Sequence, residues 1–182
     1  ACRSDRGSTL LGSACIRVGV MFSDRVLVLA QALIEEAREK QVKIATAESS
    51  TGGLTAGALT EIPGASEVVD RGFVVYSNNA KTKLLNVRAA VIMKHGAVSE
   101  EVARAMAEGA LKNSSAEIAV SCTGIAGPTG ATPDKPIGLV HLAAARTGQT
   151  TLAEECRFGD IGRSEVRMRS VEAGLKLLLQ II

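Results

Sequence analysis

Residues 42–62 constrain the fold more than any other part of this sequence. A mostly apolar run over 42–45 leads into hydroxyls and paired glycines over 46–53, and a helix-like run over 54–62 follows. This order predicts a strand, a tight turn and a helix. A helix that begins directly after such a turn has unpaired N–H groups at its start, and these attract negative charge.

Ser49, in the middle of this turn, has two interpretations. It could act as a nucleophile that uses the neighbouring backbone N–H groups as an oxyanion hole. It could equally be a helix N-cap, since serine favours that place for local hydrogen bonding alone. The segment by itself favours the cap, and the rest of the chain has to decide.

The composition is that of one soluble domain with an aliphatic core. The 182 residues are 46% hydrophobic but only 2% aromatic, and the net charge is +2 with acids and bases interspersed. Without a basic block or aromatics to stack on bases, binding to a long nucleic acid is not expected. No apolar run approaches the roughly 18–20 residues that a membrane helix needs, so no membrane partner is expected.

The four cysteines form no C-x-x-C pair and no metal-like cluster with the two histidines. We interpret them as reduced thiols of a cytoplasmic protein, with Cys122 and Cys156 buried in strands. No metal ligand set is predicted. A Ser-His-Asp triad has little support, because His95 and His141 both lie far along the chain from the serine turn.

Helical and strand patterns alternate along most of the chain. Residues 1–20 are rich in Ser, Gly and Arg, and we interpret them as an N-terminal extension outside a single domain over 21–182. Helices are predicted over 24–40, 54–62, 80–85, 102–112 and from 165 onward, and strands over 42–46, 73–76, 117–122, 138–145 and 150–158. The order predicts a three-layer α/β/α sandwich on a mixed, mostly parallel sheet.

Three polar segments directly follow predicted strands, over 49–53, 76–81 and 123–130. In open α/β sheets, ligands bind beyond the carboxyl ends of the strands. One such segment would be an ordinary loop. Three of them predict a common pocket.

Lys81 is the candidate base of the second segment. If Asn78 caps the helix, Lys81 lies in its first turn, where the helix dipole disfavours a positive charge. A neutral Lys81 could act as a general base, with Tyr76 as a proton relay or hydrogen-bond donor. The alternative, a surface lysine that extends into water, is somewhat favoured by sequence alone.

The glycine-rich loop is a weaker candidate for ligand binding. The loop containing Gly124, Gly127 and Gly130 lacks a phosphate-loop motif but could hold a phosphate, with charge from Lys135. The sequence has no G-x-G-x-x-G motif after an early strand, and this absence counts against a nicotinamide-dependent reductase.

Three charged residues complete the set of candidates. Glu48 could orient the lysine or a hydroxyl, bind substrate, or be a solvated charge. Arg163 and Arg167, one helical turn apart, could bind a phosphate or carboxylate. The favoured alternative for these arginines is a surface ion pair with Asp160 and Glu165.

The sequence also resembles a known family. The motifs T-A-E-S-S-T-G-G at 46–53, R-G-F-V-V-Y-S-N at 71–78 with Lys81, H-G-A-V-S at 95–99, and G-I-A-G-P at 124–128 with K-P-I-G at 135–138 are similar to those of the CinA C-terminal domain. The resemblance covers residues 22–182. Ser50 departs from the family, which usually has cysteine there. The molybdopterin-binding-like domain of full-length CinA proteins is missing, which is similar to the standalone nicotinamide-nucleotide amidases.

The resemblance implies a specific reaction, the hydrolysis of the carboxamide of nicotinamide mononucleotide to nicotinate mononucleotide and ammonia. It implies Ser49 as nucleophile and the pair Tyr76 and Lys81 as its partners, with no metal or other cofactor. We expect N–H groups of Thr51, Gly52 or Gly53 to hold the oxyanion. The phosphate is expected at Gly124, Ile125, Ala126 and Gly127 or at the basic residues.

Two alternatives stay open at this stage. The chain could be a non-catalytic nucleotide-binding or regulatory module, or an amidase that acts on another small amide. In the main interpretation, an amidase acting on nicotinamide mononucleotide, the expected partner is this small nucleotide substrate. An apolar, aromatic-poor chain with a strand pair at one edge of its sheet is also compatible with a homo-oligomer.

Overall fold

Alternating apolar patterns along residues 21–182 produce helices and strands in nearly the predicted order. A computed structural model describes these residues, and the predicted N-terminal extension, with Cys2 and Cys15, lies outside them. The helices are α1 (Asp24–Lys40), α2 (Leu54–Thr60), α3 (Asn78–Leu85), α4 (Ala89–His95), α5 (Glu100–Lys112) and α6 (Arg163–Leu179). The strands are β1 (Ile44–Glu48), β2 (Val69–Val74), β3 (Ile118–Gly124), β4 (Leu139–Arg146) and β5 (Leu152–Arg157).

The five strands form one mixed sheet in the order β2-β1-β3-β4-β5. Strand β1 pairs in parallel with β2 and β3, whereas β4 is antiparallel to both β3 and β5. Helices α1, α2 and α6 pack together on one face, and α3, α4 and α5 on the other. The three-layer α/β/α architecture with a late pair of adjacent strands is therefore confirmed.

The core is aliphatic, as the scarcity of aromatic residues predicts. Central strand β1 is buried along its whole length, because helices cover both faces of the sheet. Ile44 packs into the core under α1 and α6, while Ala45 and Ala47 pack under α5. Cys122 and Cys156 are buried in β3 and β5, as predicted.

Several element boundaries differ from the sequence predictions. Strand β2 ends at Val74, two residues before the predicted end, and helix α4 was not predicted at all. Strand β2 lies at the edge of the sheet and is half exposed, so its sequence lacks a strong apolar pattern. Helix α3 begins at Asn78 because the Ser77 side chain accepts a hydrogen bond from the Ala80 N–H, so Asn78 is not the cap.

The three parallel strands end at the same edge of the sheet, with β3 continuing two residues further, to Gly124. Glu48 at the end of β1 is in register with Val74 on β2 and with Cys122 on β3. The chain segments that leave these strands therefore meet at one edge of the sheet. No helix within residues 21–182 is long and apolar enough to cross a membrane.

Candidate active site

Ser49 is the first residue after β1 and is almost buried, with 8% of its surface exposed. Its N–H donates to the Cys122 carbonyl at 2.9 Å, so the turn remains joined to β3 after the strand ends. The Ser49 carbonyl accepts from the Gly52 N–H at 3.2 Å, which closes the turn. Both bonds fix the backbone of Ser49 and leave its hydroxyl free to face a neighbour.

Lys81 supplies that neighbour from helix α3. Its amine nitrogen Nζ lies 3.1 Å from Ser49 Oγ, 3.0 Å from the Val75 carbonyl oxygen and 3.2 Å from the Tyr76 carbonyl oxygen. Only 1% of Lys81 is exposed. The Ser77 cap starts α3 after a link of only three residues, 75–77, from the end of β2, and this places the fourth helical residue over the end of β1. The alternative of a surface lysine is wrong.

Burial lowers the pKa of Lys81 below the 10.5 of an unperturbed lysine. The surrounding groups match the needs of an uncharged amine. Two carbonyl oxygens can accept its two N–H bonds, and the hydroxyl of Ser49 can donate to its lone pair. The arrangement can therefore take a proton from Ser49.

Glu48 is fully enclosed beneath the same turn. Its carboxylate accepts hydrogen bonds from the Thr46 hydroxyl at 3.0 Å and from the N–H groups of Gly53, Thr55 and Ala56 at 2.9–3.1 Å. It thus caps helix α2 in place of an N-cap side chain, since Gly53 has none. The predictions that Glu48 binds substrate or is a solvated charge are both wrong.

These bonds narrow the choice of oxyanion donors. Gly52 and Gly53 take positive φ angles of 63° and 96°, which lets the turn close, but their N–H groups donate to Ser49 and Glu48. Within the described turn, the N–H groups of Ser50 and Thr51 have no protein acceptor. The expectation of Gly52 or Gly53 as a donor is therefore wrong, whereas Thr51 remains available.

A small cleft of about 180 Å³ opens beside the serine and the lysine. Its walls come from all three polar strand ends, so the predicted convergence is confirmed. The lining residues are Ser49, Ser50, Tyr76, Lys81, Ala97, Val98, Thr123, Gly124, Ala126 and Arg163.

Tyr76 contributes to the site in two different ways. Its carbonyl holds Lys81, while its side chain is 64% exposed at the mouth of the cleft. The phenol oxygen lies 3.5 Å from a guanidinium nitrogen of Arg163. The structure therefore places the phenol against Arg163 and not between Lys81 and Ser49, where a proton relay would have to be.

Arg163 and Arg167 both point from α6 toward this end of the sheet. Arg163 donates to the Gly127 carbonyl at 2.9 Å, and Arg167 donates to the carbonyls of Ser50 at 3.1 Å and Thr51 at 2.9 Å. Neither forms the predicted surface ion pair, because Glu165 pairs with Arg169 instead. Arg163 lines the cleft, whereas Arg167 contacts the serine turn outside it.

Three further candidates do not reach the cleft. Lys135 donates to the carbonyls of His95 and Val98, both at 2.6 Å, and so joins its loop to the loop before α5. Asn78 is exposed at the start of α3, and the Ile125 backbone is paired with β4. The expected phosphate contacts of Lys135 and Ile125 are therefore wrong, because both residues are bound to backbone groups and do not line the cleft. Asn78 does not line the cleft either.

Sequence reasoning gave no role to Ala97 and Val98, which form one wall. They precede the Ser99 cap of α5, and the Thr123 hydroxyl donates to the Ala97 carbonyl at 2.8 Å. The H-G-A-V-S motif was the available signal. Apolar residues in a loop between two helices carry no chemical signature of their own, so the motif alone could have identified them.

Both histidines are engaged away from the serine. His95 Nδ1 lies 2.8 Å from a Glu101 carboxylate oxygen, and His141 Nε2 lies 3.8 Å from one of Glu155. Burial lowers the pKa of His141. In the described residues, no three His, Cys, Asp or Glu side chains are close enough to hold a metal ion.

The family model described as "CinA C-terminal domain" matches residues 27–182. Among solved structures, the competence/damage inducible protein CihA from Agrobacterium tumefaciens is 48% identical with a TM-score of 0.86, over 87% of this chain and 96% of that one. A CinA superfamily protein from Escherichia coli is 32% identical with a TM-score of 0.82, over 90% of this chain and 95% of that one.

Among curated relatives, a CinA-like protein of Anaeromyxobacter sp. (strain Fw109-5) is 49% identical over 136 residues, which are 75% of this chain and 33% of the relative. A match to a relative from Caldicellulosiruptor bescii covers 42% of that relative's length. The chain thus spans less than half the length of these relatives. From its fold, its serine turn and these matches, the chain belongs to the CinA C-terminal domain family.

Proposed function

We propose that this protein is an amidohydrolase that deamidates nicotinamide mononucleotide through an acyl-enzyme on Ser49. The observation that carries the proposal is the 3.1 Å approach of the buried Lys81 amine to the Ser49 hydroxyl. Burial lowers the pKa of Lys81, so the amine can act as the base that serine needs. The substrate follows from the resemblance of the motifs to the nicotinamide-nucleotide amidases.

In the first half-reaction, Ser49 Oγ attacks the carboxamide carbon while its proton passes to Lys81 Nζ. The carbonyl oxygen gains the electron pair and becomes an oxyanion, which the free N–H groups of Ser50 and Thr51 are suited to stabilise. The carbon–nitrogen bond then breaks. Lys81 returns its proton to the leaving nitrogen, and ammonia departs.

In the second half-reaction, water attacks the ester and gives its proton to Lys81. The ester bond breaks, Ser49 recovers its hydrogen, and nicotinate mononucleotide is released. Only water is consumed besides the amide, and both side chains return to their starting states. The same pair serves both halves because Lys81 is neutral before each attack.

The cleft walls indicate how the nucleotide is held. The small apolar side chains of Ala97, Val98 and Ala126 suit a flat pyridine ring next to Ser49. Tyr76 and Arg163 stand at the mouth, where Arg163 offers a positive charge to a phosphate. Arg163 replaces Lys135 as the proposed phosphate ligand, because Lys135 is bound to backbone carbonyls.

The test is ammonia release from nicotinamide mononucleotide by the wild type and two variants, Ser49→Ala and Lys81→Met. We expect both to lose activity while circular dichroism and melting temperature show a folded protein. Lys83→Met is the matched control, since Lys83 is an exposed lysine on the same helix. This control should keep wild-type activity.

The outcomes also separate the alternatives. A wild type that binds the nucleotide without turnover would contradict the amidase and support a binding module. Faster release from nicotinamide or its riboside than from the mononucleotide would contradict the proposed substrate, because only the mononucleotide carries the phosphate. Retention of activity in Ser49→Ala would contradict the acyl-enzyme.

A further inference from the structure

The free N–H groups of the serine turn belong to peptide units that are held from their opposite side. The two atoms of a trans peptide, carbonyl oxygen and amide hydrogen, point in opposite directions. The carbonyl of Ser50 and the N–H of Thr51 share one such unit. Whatever fixes that carbonyl therefore also fixes the direction of the Thr51 N–H.

Arg167 fixes this carbonyl. Its Nε donates to the Ser50 oxygen at 3.1 Å, and its Nη2 donates to the Thr51 oxygen at 2.9 Å. One planar guanidinium thus holds two consecutive peptide units of the turn in a forked geometry that a lysine amine does not reproduce. The second unit includes the Gly52 N–H, which closes the turn on Ser49.

The charge of Arg167 is directed at these carbonyls alone. Within residues 21–182, no carboxylate lies within 4.0 Å of its guanidinium, whereas neighbouring Arg169 pairs with Glu165 at 2.8 Å. A cation that accepts electron density from a carbonyl polarises the whole peptide unit, and this strengthens the N–H at its other end as a donor. The orientation and the donor strength of the Thr51 N–H thus depend on Arg167.

We propose that Arg167 is a positioning residue, which holds the Ser50 and Thr51 carbonyls from behind and thereby aims the Thr51 N–H at the oxyanion formed on Ser49. The inference rests on the Ser49 chemistry proposed above. It separates the two arginines of α6 by task, because Arg163 faces the cleft and Arg167 faces the backbone of the turn. Arg167 itself contacts no substrate.

Two reactions test this inference in wild type, Arg167→Ala, Arg167→Lys and Arg169→Ala. The first is hydrolysis of nicotinamide mononucleotide. The second is the labelling of Ser49 by a fluorophosphonate, in which Oγ attacks phosphorus, fluoride leaves and Lys81 takes the proton. Mass spectrometry gives the labelling rate. Because this reaction needs no knowledge of the natural amide, it remains informative if the proposed substrate is wrong.

We expect Arg167→Ala to lower kcat and the labelling rate by roughly 10- to 100-fold, with KM within a factor of two to three. Arg167→Lys should recover only a small part of the loss. Guanidinium ion at a sub-denaturing concentration should restore activity to Arg167→Ala, and Arg169→Ala should match the wild type. The pH at which activity rises should not change, because Lys81 is untouched.

Labelling of Arg167→Ala at the wild-type rate would overturn the inference. So would a loss that guanidinium does not restore and that comes with a lower melting temperature, since that result indicates a structural role alone. A wild type that is labelled at Ser49 but releases no ammonia overturns the proposed substrate and leaves the comparison of labelling rates valid. A wild type that is neither labelled nor active overturns both proposals.

Discussion

Strands β1 and β5 of the sheet treat ionisable side chains in opposite ways. At the carboxyl edge of β1, Glu48 and Lys81 are each only 1% exposed, and each is surrounded by several hydrogen-bond partners of this chain. On edge strand β5, the side chains of Glu155 and Arg157 pair at 2.6 Å but remain 43% and 61% exposed. Both regions contain ionisable side chains, yet only the first buries them away from water.

The difference shows which side chains this fold holds in a single geometry. Removing a charge from water is costly unless several partners replace the water, so the buried groups are held in one geometry. An exposed pair gains little and can rearrange freely. We therefore expect substitutions at the β1 edge to affect chemistry and stability strongly, and substitutions on β5 to affect neither.

The largest effect is expected for Lys81→Met, which keeps the length of the side chain and removes the base. The rate kcat should fall by roughly 10²- to 10⁴-fold. In the wild type, kcat/KM should rise with pH as the uncharged amine forms, with a midpoint below 10.5 because burial lowers the pKa of Lys81. The residual activity of the variant should lack this rise. If the pH–rate profiles of the wild type and Lys81→Met had the same shape, Lys81 would not be the base.

The next effect is expected for Glu48→Gln, which keeps the shape but replaces one acceptor oxygen with an NH₂ donor. At least one of the buried N–H groups of Gly53, Thr55 and Ala56 then loses its acceptor. We expect the free energy of unfolding to fall by about 1–3 kcal/mol, measured by urea denaturation. An unchanged free energy would show that the buried carboxylate is not needed to cap α2.

A smaller effect is expected for Arg163→Ala at the mouth of the cleft. This change removes the positive charge next to Tyr76 but leaves Ser49 and Lys81 in place. KM for nicotinamide mononucleotide should rise by roughly tenfold, or about 1.4 kcal/mol, with a smaller change in kcat. Steady-state kinetics test this, and a fall in kcat alone would assign Arg163 to the chemical step.

The smallest effect is expected for Arg157→Ala on β5. It removes only an exposed ion pair with Glu155. Stability should change by less than about 0.5 kcal/mol, and kcat/KM should not change. A larger fall in the urea midpoint would contradict the comparison, because it would show that strand β5 also depends on its charged side chains for stability.

Much of the fold could be predicted from the sequence because its determinants are local. The apolar run before Ser49, the caps at Ser77 and Ser99, and the alternating order of helices and strands all lie within short segments. Edge strand β2 was misjudged because it is half exposed, and helix α4 was missed because it buries only Ile92 and begins without a side-chain cap.

Sequence reasoning named Ser49 and Lys81 as candidates because both follow strands at the same edge of the sheet, although the residues alone favoured a helix cap for Ser49 and a surface position for Lys81. Their pairing as nucleophile and base came from the resemblance. The tasks of Glu48, Lys135 and Arg167 were not predictable, because each depends on which backbone groups lie opposite in space. In the sequence, Glu48 is a possible substrate ligand, and only the structure shows that four hydrogen-bond donors surround its carboxylate. The sequence similarly does not say that an arginine meets two carbonyls and no acid.

The central claim is that Lys81 reaches its uncharged form more easily than an ordinary lysine. The most direct measurement is an NMR titration of the ε-carbon signals in protein labelled with ¹³C-lysine, with Lys81→Met to assign the resonance. The account predicts that the Lys81 signal titrates at a lower pH than the exposed lysines and below 10.5. A Lys81 signal that titrates together with the exposed lysines would contradict it.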